Sequence, residues 1–293
     1  LSMALLEPEI LNKLDLLDVQ SRRVFLGRVK GDKRSKRRGT SVEFADYRDY
    51  SPGDEPRFID WNAYARLDRL FVKLFVEEED LYFHVLLDCS QSMDFGGPRK
   101  FDLARRLSAA LGYIGLVNQN RVSVTAFSGD ASKVFPLTRG RAGARRLFDF
   151  LEELEPSGQT NLLGAGRRFC LQQRNRGIAL VISDFLDPAG YDDALGALLG
   201  RRYEVYALQI LAPEEIAPPF RGDFRLVDSE TGDETEVSVT SELLEHYAAN
   251  LAEFQAALRQ FCVSRGIQHM SVTSDADLED LVLRRFREMG IVT

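Results

Sequence analysis

From Phe71 onward, apolar and β-branched runs of strand length alternate with amphipathic runs of helical length, and no other feature constrains the fold so tightly. Strands are expected at residues 71–75, 82–87, 121–127, 133–137, 178–183, 204–210 and 267–272, and helices at 100–118, 140–154, 162–173, 188–199 and 277–288. Repeated strand-then-helix order favours a parallel sheet, because a parallel neighbour needs a crossover long enough to carry the chain back. The expected fold is therefore α/β: a doubly wound, mostly parallel sheet of Rossmann-like architecture with helices on both faces. One interruption is expected, a hairpin of strands 224–228 and 235–239 turning at Thr231-Gly232-Asp233, then a long helix over 241–264 with Ser241 as N-cap.

The front of the chain follows another pattern. Ile10, Leu11, Leu14, Leu17 and Val24 recur at helical spacing and predict an amphipathic helix over 8–28. Residues 28–38 then hold seven basic side chains and read as a solvated, mobile segment. Residues 41–69 read as irregular and polar, with a turn at Ser51-Pro52-Gly53-Asp54. The expected division is an N-terminal extension over 1–79 and an α/β domain over 80–293, with an insertion at about 212–264.

At 293 residues the chain is long enough for one large core without covalent or metal staples. The most apolar helical stretch, 107–117, is too short to span a membrane and is interrupted by Ser108, Gly112 and Gly115, so the cytoplasm is the expected address. Cys89, Cys170 and Cys262 form an odd set without CxxC spacing and read as buried free thiols. His84, His246 and His269 lack metal-ligand spacing and read as structural. Residues 21–73 carry 14 Lys or Arg against 8 Asp or Glu in a chain of net charge −7, so a basic front precedes an acidic body.

The chemistry is concentrated where predicted strands end. Asp88-Cys89-Ser90-Gln91-Ser92 follows the strand 82–87, Ser157-Gly158-Gln159-Thr160-Asn161 precedes a helix, and Ser183-Asp184-Phe185 closes the strand 178–183. In open α/β sheets such junctions lie along one edge, where binding crevices form. One carboxylate and neutral hydroxyls suit a hard divalent cation better than zinc. This ordered set resembles the metal-ion-dependent adhesion site of von Willebrand factor A domains. By that resemblance Ser90, Ser92 and Thr160 contact Mg²⁺ (or Mn²⁺), Asp88 and Asp184 hold its waters, and a partner's carboxylate takes the free position.

The front carries a second resemblance. Gly39-Thr40-Ser41-Val42-Glu43-Phe44, Tyr50-Ser51-Pro52-Gly53-Asp54, Arg57-Phe58-Ile59-Asp60-Trp61-Asn62, Ala65-Arg66 and Leu70-Phe71-Val72-Lys73 are similar to the signature of the bacterial family of domain of unknown function 58. The resemblance implies a MoxR-type AAA+ ATPase, or its client, as partner. Arg57, Asp60, Trp61 and Arg66 are read as a buried ion-pair and stacking cluster docking the front segment on the acidic body, in preference to a ligand site.

Two other functions compete with metal-dependent docking. Asp88 as a phosphorylated nucleophile would make the protein a phosphoryl-transfer or hydrolytic enzyme. Against it, no lysine in a credible position follows a strand to clamp a phosphoryl group, GxxxxGK[ST] is absent, and no nucleophile, base and orienting residue can be named together. Nucleic-acid binding would rest on 28–38, and the net charge of −7 opposes it.

Overall fold

A computed structural model describes residues 5–21, 42–52, 54, 56–77 and 81–293. The chain forms two compact units, one of Leu1–Arg22 with Leu81–Thr293 and one of Arg23–Asp80. The smaller unit ends at Asp80, and residues 5–21 belong to the larger one. The basic segment 28–38 lies outside the described residues.

In the smaller unit, β1 (Val42–Asp49) pairs antiparallel with β2 (Phe71–Glu77), and α2 (Trp61–Leu67) lies between them in sequence. The expectation of irregular chain over 41–69 missed β1. A register shift between Phe44 and Asp46 breaks its two-residue alternation, and Glu43, Asp46 and Asp49 remove the apolar signal. Asp60 caps α2, accepting from the backbone N–H groups of Asn62 and Ala63 at 2.9 and 3.1 Å.

The larger unit is built on a sheet of six strands among the described residues, in the order β10-β7-β6-β3-β4-β5. These are β3 (Tyr82–Asp88), β4 (Arg121–Ser128), β5 (Ala131–Arg139), β6 (Ile178–Ser183), β7 (Glu204–Leu211) and β10 (Gln268–Thr273). All neighbours run parallel except β5, which turns back on β4. Alternate strand residues enter two cores. Phe83, Val85, Leu87, Leu180 and Ile182 pack with α3 (Lys100–Val117) and α4 (Ala144–Glu152). Leu86, Val181 and Val205 pack with α5 (Leu162–Gln172), α6 (Asp192–Gly200) and α8 (Ser241–Ser264). Each large apolar side chain fully buried this way contributes about 1.5–3 kcal/mol. On α3, Gly112 and Gly115 permit close packing: a Cβ there would lie 2.6 Å from Leu147 and 2.8 Å from Val122.

Several boundaries differ from expectation. The helix predicted over 8–28 ends early, with α1 at Pro8–Leu14. Asp15 is drawn away by Tyr113 and Arg141, at 2.6 and 2.8 Å. The backbone of Asp18 and Gln20 then pairs with Thr293 and Ile291, so tertiary hydrogen bonds replace helical ones. After β7 come α7 (Pro213–Ile216) and the hairpin of β8 (Gly222–Val227) and β9 (Glu234–Val239). Thr240, not Ser241, caps α8, accepting from Leu243 N–H at 3.2 Å. The final helix, expected over 277–288, is broken into α9 (Leu278–Asp280), a π turn over Leu281–Arg285 and α10 (Phe286–Met289).

Candidate metal centre

The winding of the sheet creates the site. From β3 the chain crosses to β4 on one side, and from β5 it returns to β6 on the other, so a crevice opens between the carboxyl ends of β3 and β6. Asp88 ends β3 there, and Asp184 follows β6. Both are fully buried.

Asp88 organises the first loop. Its Oδ1 accepts from the backbone N–H and the hydroxyl of Ser90 at 2.9 and 2.7 Å, and its Oδ2 accepts from the Ser183 hydroxyl at 2.6 Å. Burial, with the Asp184 carboxylate adding to it, pushes Asp88 up to about 7. Ser90 Oγ then lies 3.0 Å from Ser92 Oγ, which lies 3.5 Å from Thr160 Oγ1.

Thr160 comes from the loop before α5. That loop is pinned by Ser157 N–H on Cys89 O and Gln91 N–H on Gly158 O, both at 2.8 Å. Gly158 has φ +70°, a conformation that favours glycine, and a Cβ there would stand 2.9 Å from Ser128 Oγ. The loop ends at Asn161, whose side chain caps α5 by accepting from Gly164 N–H at 2.7 Å.

After β6 the backbone turns sharply at Phe185, which has φ +61°. For a residue with a Cβ that conformation costs about 1 kcal/mol or more. The Phe185 ring anchors it, fully buried and edge-on to Tyr191. Asp184 Oδ1 accepts from Leu186 N–H at 3.0 Å, while Oδ2 receives the ammonium of Lys100 at 2.8 Å. Lys100 also reaches Glu215 at 2.6 Å, and its side chain is 1% exposed. Burial opposes its charge, but the Asp184 and Glu215 carboxylates outweigh that and hold the ammonium above its ordinary range. Burial raises Glu215 despite this partner.

The structure thus brings Asp88, Ser90, Ser92 and Thr160 together, with Asp184 tied into an ion-paired cluster beside them. Lys100, which opens α3, is held beside the site by Asp184. Lys100 looks in sequence like any first-turn residue of a helix, and a separation of 84 positions hides its pairing with Asp184. Glu215 and Glu230 have no place in the sequence reading either, and Ser183 has none beyond closing its strand, although its hydroxyl donates to Asp88. Glu230 stands between β8 and β9, and its carboxylate accepts from the Thr160 hydroxyl at 2.7 Å and the Thr160 N–H at 3.0 Å. No local pattern could signal a contact across 70 positions.

The donor set fits a hard cation. Adjacent ligands at about 2.1 Å from an octahedral Mg²⁺ lie about 3 Å apart, close to the Ser90–Ser92 spacing of 3.0 Å; the Ser92–Thr160 spacing of 3.5 Å is wider. Asp184 and Glu215 share the ammonium of Lys100, whereas Asp88 and Glu230 accept from the hydroxyls of Ser90 and Thr160. Among the described residues there is no group of three or more His, Cys, Asp or Glu arranged for a metal, so such a site depends on hydroxyls.

The remaining sequence candidates lie in the smaller unit. Asp60 is buried and holds α2, with Tyr47 donating to it at 3.0 Å. Trp61 is 60% exposed and meets Tyr64 edge-on, which corrects the expectation that it is stacked in a buried cluster. Arg57 lies on the turn Pro56–Phe58, and Arg66 lines a groove of about 460 Å³ with Asp60, Asn62 and Phe71. Cys89, Cys170 and Cys262 are buried free thiols. His84 is buried against Ser123 Oγ at 2.7 Å. No helix among the described residues is long and apolar enough to cross a membrane.

The family model described as "Protein of unknown function DUF58" matches residues 46–257. An uncharacterized protein of Mycobacterium tuberculosis is 29% identical over 94% of this chain and 89% of its own length. Among solved structures, the conserved hypothetical protein BatB from Bacteroides thetaiotaomicron is similar with a TM-score of 0.45, 17% identity and coverage of 71% of this chain and 98% of that one. An aerotolerance-related membrane protein from Bacteroides fragilis is similar with a TM-score of 0.47, 18% identity and coverage of 72% and 98%.

Proposed function

This chain belongs to the family described as Protein of unknown function DUF58, and from its own geometry we propose that it is a non-catalytic docking module with a von Willebrand factor A-like metal site. The observation that carries the reading is the convergence of three hydroxyls from two separate loops, Ser90, Ser92 and Thr160, spaced 3.0 and 3.5 Å at the switch point of the sheet. Ser90, Ser92 and Thr160 would hold Mg²⁺ or Mn²⁺. Asp88 would fix the loop that carries both serines, and Asp184 would add negative charge beside it. A divalent cation bound there supplies a position of high positive potential for an incoming carboxylate, since neutral hydroxyls leave its charge largely uncompensated. The partner proposed is a protein with an exposed Asp or Glu, with a MoxR-type AAA+ ATPase or its client as the class the sequence resemblance implies.

Lys100 does not favour phosphoryl transfer. It is 1% exposed and committed to Asp184 and Glu215, so it is not presented to a substrate on the surface. Among the described residues neither Ser90 nor Ser92 has a histidine or lysine partner that would make it a nucleophile. Titration calorimetry with Mn²⁺ tests the site: one ion should bind the native chain, and a Ser90→Ala/Ser92→Ala variant should lose it at least tenfold in affinity. Equal binding by the two proteins refutes the assignment.

A further inference from the structure

Glu230 is an acidic side chain already seated on the hydroxyl that a partner's carboxylate would approach. Its two oxygens take the Thr160 hydroxyl at 2.7 Å and the Thr160 N–H at 3.0 Å, and Thr160 Oγ1 lies 3.5 Å from Ser92 Oγ. The turn that carries it is shaped for presentation. Asp228 Oδ1 accepts from Glu230 N–H and Thr231 N–H, both at 2.8 Å, and Thr231 Oγ1 donates to Asp233 at 2.9 Å. The strands behind the turn bury almost nothing: every residue of β8 is exposed, and in β9 Val239 at the far end is the buried one. The hairpin is therefore ordered within itself and weakly held, apart from its carboxylate on Thr160.

We propose that the β8–β9 hairpin is a built-in competitor: Glu230 occupies the partner-carboxylate position of the Ser90/Ser92/Thr160 site in cis, and an acidic partner binds by displacing it. This rests on the metal-site reading above and adds regulation to it. A tethered ligand acts at an effective concentration in the millimolar range. A lone carboxylate on a partner at micromolar concentration loses to it, so docking is reserved for partners that also hold the hairpin away. If Glu230 is seated nine-tenths of the time, the apparent affinity for an outside carboxylate is reduced about tenfold.

The test uses the full chain with bound Mn²⁺, native and Glu230→Gln, and reads solvent-water proton relaxation and its change on titration with acetate. Gln keeps the side-chain shape and an acceptor oxygen while removing the charge. The expected result is a higher relaxivity in the variant, as water replaces the carboxylate on the ion, and displacement of that water by acetate at about tenfold lower concentration than in the native protein. Faster hydrogen exchange at the Thr160 amide in the variant should accompany it. If both proteins bind Mn²⁺ with the same relaxivity and the same acetate response, the cis competitor is overturned while the metal site stands. If neither binds Mn²⁺, the metal-site reading fails and the proposal fails with it.

Discussion

Replacing Lys100 by Met should destabilise the larger unit severely, since it strips the cation from a largely buried cluster. The ammonium lies 2.8 Å from Asp184 and 2.6 Å from Glu215, and the three side chains are 1%, 1% and 17% exposed. At an effective dielectric constant of about 20, each contact is worth about 6 kcal/mol before desolvation. Burial of the three charged groups cancels several kcal/mol per ion, so the triad is far weaker as a net source of stability. Removing only the cation is different, because the two carboxylates remain buried without it; the expected cost is about 3–5 kcal/mol. Met keeps the length of the lysine stem, so little packing is lost. For a unit of this size that is a fall in Tm of about 6–20 °C. Far-UV circular dichroism during urea and thermal unfolding is the suitable assay, because the single tryptophan, Trp61, reports on the smaller unit. Lys100→Met/Asp184→Asn/Glu215→Gln, which leaves no uncompensated charge, should regain at least half of the loss. A cost below about 1 kcal/mol for Lys100→Met, or a triple variant no more stable than it, would refute the electrostatic argument.

Three further outcomes follow from the geometry. Gly158→Ala forces a Cβ to within 2.9 Å of Ser128 Oγ at a φ of +70°, which should cost about 1–2 kcal/mol in urea unfolding and weaken Mn²⁺ binding by moving Thr160. Phe185→Ala removes the buried anchor of the turn after β6 and should cost about 3–5 kcal/mol; a loss under 1 kcal/mol would show that the turn holds itself. His84 is held down to about 4, chiefly by burial, against 6.5 in the unfolded chain. Its contribution is therefore fully present above pH 6.5 and is lost as pH falls through 4, by about 3 kcal/mol in all. His84→Gln should flatten that part of the stability curve between pH 7 and 4, and an unchanged slope would assign it to other groups.

The sequence by itself determined the architecture of the larger unit and the set of oxygens at its crevice. The apolar run 178–183 is buried along its whole length because its strand is covered on both faces, and such runs are legible from composition alone. Asp88, Ser90, Ser92, Thr160 and Asp184 were legible for a related reason: each lies at a strand end or in a loop that follows a strand or leads into a helix, and strand ends of a parallel sheet share one edge. Local chemistry did not reveal β1, whose register shift and acidic residues hide its period, nor the early end of α1, where pairing with the C-terminal residues competes with the helix. It also gave no sign of the charges that surround the site. Lys100 and Asp184 lie 84 positions apart, Lys100 and Glu215 lie 115 apart, and Thr160 and Glu230 lie 70 apart. Hydrophobic period is a property of neighbours in the chain and survives in the sequence. The partner of a buried charge is chosen by where loops from different strands meet, and only the folded sheet decides that.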